Sequence, residues 1–276
     1  MQEMINLNGV FFDKSTEVLN ANNRAFKYGD ALFETIKVKN LTVYFIEDHY
    51  FRLMASMRML RMEIPMSFTL DFFKSELLKT VQQNNLENVR ARFTVYRQDG
   101  GLYKPLTNQI NYLIEVSPLL NTVVKEQYTI DLFKDYYVYS GLLSTIKTTN
   151  KLTNVLASIY ASENKFDNCI LINENKHVVE AINANIFIVK GNIIKTPPII
   201  DGCVKGIARK KIIEIVSEMN AYTIEESVIS PFDIQKADEV FISNVIIGIQ
   251  PITSYKKAVY SIKVSKELTL EFNKLV

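Results

Sequence analysis

The chain has 276 residues, enough for two domains of ordinary size, and is 47% hydrophobic and 22% charged, the balance of a globular protein with a large buried core. A net charge of +2, from 32 basic and 30 acidic residues scattered along the chain, gives no electrostatic basis for nucleic acid or an anionic membrane as partner. No apolar run reaches the ~20 residues that span a bilayer. The opening residues, Met1 to Asn6, lack the basic and apolar regions of a signal peptide, so a cytoplasmic enzyme is expected.

In chain order, Ala31 to Val38 is rich in β-formers, Lys39-Asn40 turns, and Thr42 to Ile46 reads as its hairpin partner. The period then changes: Tyr50, Leu53, Met54, Met57 and Leu60 recur at helical spacing, which predicts a helix from Asp48 to Met62. A second helix is expected from Thr69 to Asn84. Arg90 to Arg97 alternates strictly, with Ala91, Phe93 and Val95 on one side and Arg92, Thr94 and Tyr96 on the other. A turn at Gln98 to Gly101 leads to a strand from Asn111 to Ser117.

Residues 119–127 have a linker's composition, dividing an N-terminal domain, 1–118, from a C-terminal one, 128–276. Beyond the linker, a helix is expected from Lys151 to Asn164, then short strands at Asn168 to Asn173, His177 to Ala181, Ile186 to Val189 and Ile193 to Lys195. Gly206 to Asn220 reads as a helix and Glu239 to Asn244 as a buried strand. Strands and helices mix without regular alternation, so the class is α/β in the broad α+β sense rather than a doubly wound sheet. Cys169, within Cys169-Ile170-Leu171-Ile172, reads as a buried small hydrophobe. Two cysteines without motif spacing and two histidines do not make a metal site, and no metal is expected.

The chemistry concentrates in the second half. Lys147 stands in Ser144-Thr145-Ile146-Lys147-Thr148-Thr149-Asn150, behind the apolar pair Leu142-Leu143, which suggests a desolvated amine. Glu180 follows in Val178-Val179-Glu180, with Asn185-Ile186-Phe187 close behind. Gly206-Ile207-Ala208-Arg209 opens an apolar helix, whose first amides and dipole favour an anion. Amine, carboxylate and anion-binding helix start, in that order, suit pyridoxal 5′-phosphate (PLP). Taken singly, Lys147 could be a surface lysine, Glu180 a solvent-facing strand residue and Lys151 the reactive amine instead.

Together these residues resemble the class IV aminotransferases, the fold-type IV PLP enzymes, from about Asn8 to about Pro251. The run Lys147-x-x-Asn150-x-Leu152-x-x-Val155-Leu156 is similar to the cofactor-lysine segment of the lyase and D-amino-acid branches. The resemblance implies that Lys147 binds the cofactor and that Glu180, with Asn185 as companion, keeps a proton on its ring nitrogen. It places the phosphate on Ile207 and Ala208, on the Ser243-Asn244-Val245 loop and on Arg52 of His49-x-x-Arg52-Leu53, a guanidinium suited to bidentate contact. Ala208 departs from the family's usual Thr. The stretch Asn23 to Thr35 resembles the N-terminal signature, in which Phe33, Glu34 and Thr35 approach the substrate and Tyr28 and Gly29 shape a hairpin.

The family's two-domain fold is also implied, with a barrel-like C-terminal domain, PLP in the cleft, a homodimer and a small-molecule amine substrate. Thr35, Asn244 and the ungapped Lys147-x-x-Asn150 spacing favour a 4-amino-4-deoxychorismate lyase, with Lys147 and Thr35 catalytic. A branched-chain or D-amino-acid transaminase is the alternative, and a non-catalytic PLP-binding protein the remote one. The loop Gln98 to Pro105 lacks the arginine some lyases carry, which leaves Arg97, Tyr103 or Lys104 as candidate substrate contacts.

Overall fold

The computed structural model describes residues 3–120 and 124–276. The chain forms two compact units, Met1–Thr122 with Ile146–Asn150, and Val123–Thr145 with Lys151–Val276. Of the linker expected at 119–127, residues 121–123 lie outside the described residues. The run Ile146–Asn150, expected with the C-terminal domain, belongs to the first unit.

In the first unit a hairpin, β1 (Met4–Leu7) and β2 (Val10–Asp13), precedes a short helix, α1 (Arg24–Tyr28). There follow β3 (Ala31–Lys39), β4 (Thr42–Val43), α2 (Ile46–Met59), α3 (Leu70–Gln83), β5 (Val89–Arg97) and β6 (Ile110–Pro118). The strands form one antiparallel sheet in the order β2-β1-β6-β5-β3-β4. Leu32, Ile36 and Val38 on β3 share a core with Leu53 and Met57 of α2, Phe73 and Leu77 of α3, and Ala91, Phe93 and Val95 of β5. The strict alternation of β5 thus has its apolar side on the helices, as its period requires.

Two local expectations fail for backbone reasons. The hairpin partner expected to Ile46 stops at Val43, because Phe45 takes φ +53 and becomes the N-cap of α2. Tyr28 and Gly29 do not form a hairpin: Tyr28 ends α1 and Gly29, at φ +62, is its left-handed cap.

The second unit contains β7 (Thr129–Leu132), α4 (Leu152–Glu163), β8 (Asn168–Ile172), β9 (Val178–Ala181), β10 (Asn185–Lys190) and β11 (Ile193–Thr196). It continues with α5 (Ile207–Glu218), β12 (Thr223–Glu226), α6 (Pro231–Lys236), β13 (Glu239–Asn244), β14 (Gly248–Ile252), β15 (Ser254–Tyr255), β16 (Ala258–Val259) and α7 (Lys263–Asn273). Two mixed five-stranded sheets result, β12-β11-β10-β13-β14 and β16-β15-β7-β8-β9. Their inward residues, among them Ile170, Val178, Ile186, Val240, Ile242 and Tyr255, make one core. No helix among the described residues is long and apolar enough to cross a membrane.

Candidate active site

In the first unit Lys147 is held by its main chain. The edge of β3 not taken by β5 is taken here by residues 147–149: the Phe33 N–H donates to the Lys147 carbonyl (2.9 Å) and the Thr149 N–H to the Ala31 carbonyl (3.1 Å). Asn150 closes the strap, its Nδ2 donating to the Gly29 carbonyl at 3.2 Å. This gives the Lys-x-x-Asn spacing a physical reason. Leu142 and Leu143, read as the desolvating pair, are instead 72% and 66% exposed, and it is Ile146 that is buried.

Side chains alternate across β3, so Phe33 and Thr35 share one face and Glu34 the other. On the first face the Lys147 Nζ lies 4.5 Å from the Phe33 ring centroid and the Arg92 guanidinium carbon 3.8 Å from it. Arg92 stands opposite Thr35 in the β3–β5 register, and Thr35 is half-buried. The sequence reading passed over Arg92, although the period of β5 already put it on the polar side. Only the strand register brings it to Phe33.

Glu34, expected near the substrate, faces α2 instead. It is 1% exposed. Its Oε1 accepts from Arg52 Nε at 2.8 Å and its Oε2 from an Arg52 terminal nitrogen, with His49 Nδ1 2.6 Å from Oε2. Burial alone would raise the Glu34 pKa, but the Arg52 charge and the hydrogen bonds from His49 and Arg52 outweigh it and hold the carboxyl at about 2. Burial lowers the His49 pKa, with the charges of Arg52 and Lys147 adding to it against the pull of Glu34, which favours a neutral ring. A carboxylate only accepts, so His49 carries its proton on Nδ1 and leaves Nε2 buried without a hydrogen-bond partner. Arg52, expected to grip a phosphate with its fork, has two of its nitrogens on Glu34.

The second unit holds a cradle. Glu180, on β9, is 8% exposed, and its Oε2 accepts the Val204 N–H at 3.1 Å. Asn185, on β10, donates to the Ser243 carbonyl across the β10–β13 pair at 2.8 Å. A Cβ at Gly206 would lie 2.0 Å from Asn185 Oδ1, so the two meet only because Gly206 has no side chain. Gly206 is the N-cap of α5, no side chain caps this helix, and its first turn carries no acidic residue. The amides of Ile207 and Ala208, both buried, therefore begin a helix suited to a phosphate dianion.

Asn244 has a different employment from the one expected. Its Oδ1 accepts the N–H groups of Ile246 (2.9 Å) and Ile247 (3.0 Å), and its Nδ2 donates to the Asn183 carbonyl (3.1 Å). It folds the loop that carries Val245. A buried carboxylate, an uncapped helix start and a glycine cradle together fit a phosphorylated pyridine.

Arg97 lacks the geometry expected of a substrate contact. It is 7% exposed, with Nε on Asp30 (2.9 Å), one terminal nitrogen on Asn108 Oδ1 (2.6 Å) and the other on the Leu60 carbonyl (2.7 Å). Tyr28 and Tyr103 do come together, ring centroids 5.6 Å apart, with Tyr103 90% exposed. Cys169 and Cys203 are buried, and burial pushes each thiol up to about 12.

Residues 31–255 match the family model of amino-transferase class IV. A protein of Methanocaldococcus jannaschii, provisionally named a branched-chain-amino-acid aminotransferase, is 30% identical over 272 residues, covering 96% of this chain and 92% of that one. The aminodeoxychorismate lyase of Vibrio harveyi is 26% identical, covering 84% and 85%. The branched-chain amino acid aminotransferase of Thermobaculum terrenum, solved in its PLP form, shares the fold with a TM-score of 0.85 at 20% identity, covering 99% of this chain and 94% of that one. The chain belongs to the class IV aminotransferase family, and it is a PLP-dependent enzyme of fold type IV.

Proposed function

We propose that this enzyme is an amino-acid transaminase in which Lys147 binds the cofactor and Arg92 receives the substrate carboxylate. The observation that carries this reading is the shared Phe33 ring, with the Lys147 amine at 4.5 Å and the Arg92 guanidinium at 3.8 Å. An α-amino acid needs both an amine-exchanging lysine and a fixed cation, and a planar guanidinium takes a carboxylate bidentately. The Methanocaldococcus relative, matched over nearly the whole chain, supports the same assignment.

PLP, when bound, supplies an electron sink for the bond broken beside the substrate nitrogen. The rest falls to the chain. Lys147 would hold the cofactor, and its Nζ would carry the proton of the substrate carbon bearing nitrogen. Glu180, buried and anchored by the Val204 amide, holds a proton at the ring nitrogen. The Ile207 and Ala208 amides bind the phosphate, with Val245 on the second loop. Arg52, on Glu34 through two of its nitrogens, ties α2 to β3 and would add its positive charge to the phosphate's surroundings.

The lyase is the second reading, favoured by Thr35, whose hydroxyl lies on the same strand face as Phe33 and opposite Arg92. The sequence ordered the two the other way. Asn244 was one of its reasons, and that side chain is occupied in folding its loop. A panel of L- and D-amino acids with 2-oxoglutarate, run beside aminodeoxychorismate, decides. Keto-acid formation is expected. Release of pyruvate and 4-aminobenzoate without an acceptor would replace this assignment by the lyase.

A homodimer is part of the proposal. Along α4, Leu152, Val155 and Ile159 are 72%, 52% and 48% exposed and fall on one helical stripe, an apolar face suited to a second copy of the chain.

A further inference from the structure

Between the 3-10 turn Ile199–Asp201 and α5 runs a strap, Asp201 to Gly206, whose backbone ties the cradle of the second unit together. The Val204 N–H donates to Glu180 (3.1 Å), the Lys205 N–H donates to the Thr145 carbonyl (3.1 Å), and Gly206 packs on Asn185. The other end of the strap is held by the β8–β9 hairpin. Asn173, fully buried, donates through Nδ2 to the Asp201 carbonyl at 3.1 Å, and His177 Nδ1 lies 3.2 Å from Asp201 Oδ1. Asp201 is 6% exposed and its Oδ2 is buried without a hydrogen-bond partner, so its side chain depends on His177. Gly202, at φ +99, makes the turn that follows.

The spacing on the two sides matches. His177 and Glu180 are three residues apart, and so are Asp201 and Val204, the strap residues they meet. A strap pinned at two points of equal spacing cannot slip by one residue without removing the Val204 amide from Glu180. We propose that His177 is a positioning residue: by holding Asp201 it sets the register that keeps Glu180 fixed for the cofactor's ring nitrogen. This rests on the reading of Glu180 given above.

The test uses the holoenzyme, apoprotein titrated with PLP, and PLP labelled with ¹⁵N in the ring. His177→Ala is expected to weaken PLP binding about tenfold, the scale of one lost hydrogen bond to a charged group. The ring-nitrogen resonance is expected to move toward that of the unprotonated pyridine. His177→Leu, which keeps bulk without a donor, should match it. His177→Gln, whose amide can donate to Asp201, should restore binding and resonance. Ser140→Ala, which removes an exposed contact to Glu174 on the same hairpin, should change neither. Wild-type affinity and resonance in His177→Ala would overturn the proposal, as would a His177→Gln as weak as His177→Ala, or an equal loss in Ser140→Ala. Lys147→Ala, run in parallel, separates the two levels: if it keeps the visible absorbance of bound PLP, the cofactor reading itself falls.

Discussion

Glu34 is a charged group in an almost dry place, and its neighbours decide whether that stabilises the protein. Its folded pKa, about 2, lies below the ordinary 4.5, so the contribution is fully present above pH 4.5 and is lost as pH falls toward 2. Glu34→Gln should therefore abolish a part of the acid loss of stability seen in wild type across that window, read by urea unfolding at successive pH values. At pH 7 the same substitution removes the buried charge that Arg52 and His49 meet and should cost about 3–5 kcal/mol, the range for a broken buried pair. At the reacting centre, Lys147→Ala should remove both turnover and the visible absorbance of bound PLP, and an active variant would move the assignment to Lys151. Lys147, Glu180 and Arg52 are proposed from the sequence because each sits in a short local pattern. Arg92 and the Glu34 partnership could not, since they depend on which strand lies beside β3 and which helix covers it.

Backbone conformation decides how the elements carry these groups. Gly29 has φ +62, and a Cβ on it would come within 2.2 Å of Asn150 Oδ1. Gly29→Ala should thus lower stability by about 1–2 kcal/mol from the left-handed conformation alone, with the displaced Asn150 adding to it, as measured by the denaturant midpoint. Gly206→Ala would drive a Cβ against Asn185 and should weaken PLP retention more than it lowers the melting temperature of the apoprotein. The long helices α2, α3, α4 and α5 were legible from their 3.6-residue period. The strands β1, β2, β7, β12 and β14 to β16 and the helices α1 and α6 were not anticipated, because runs of two to six residues leave too little periodicity to stand out from their surroundings, whereas α7, with Val264, Leu268 and Phe272 on one buried face, was legible and was passed over. Phe45 is a sharper case. Its left-handed backbone ends a strand where every neighbouring side chain is a good β-former.

For the molecule as a whole, each unit has its own core, and two domains were expected from the chain's length. Composition could not assign Ile146–Asn150, which joins the first unit through main-chain hydrogen bonds that no side-chain pattern announces. Ile159→Glu on the exposed stripe of α4 should convert the proposed dimer to a monomer, read as mass by light scattering; a mass unchanged from wild type would remove that stripe as the interface. PLP at a hundredfold excess over its dissociation constant should raise the unfolding free energy by about 2.7 kcal/mol through mass action, read as a shift in melting temperature. The strap of Lys147 along β3 has one more outcome. Because carbonyls and amides hold the main chain of that lysine, its anchorage does not depend on the side chains of Thr35 and Arg92, which can be exchanged for other chemistries without releasing it. A scaffold of this kind lets selection rewrite what is recognised without rebuilding the machinery that reacts.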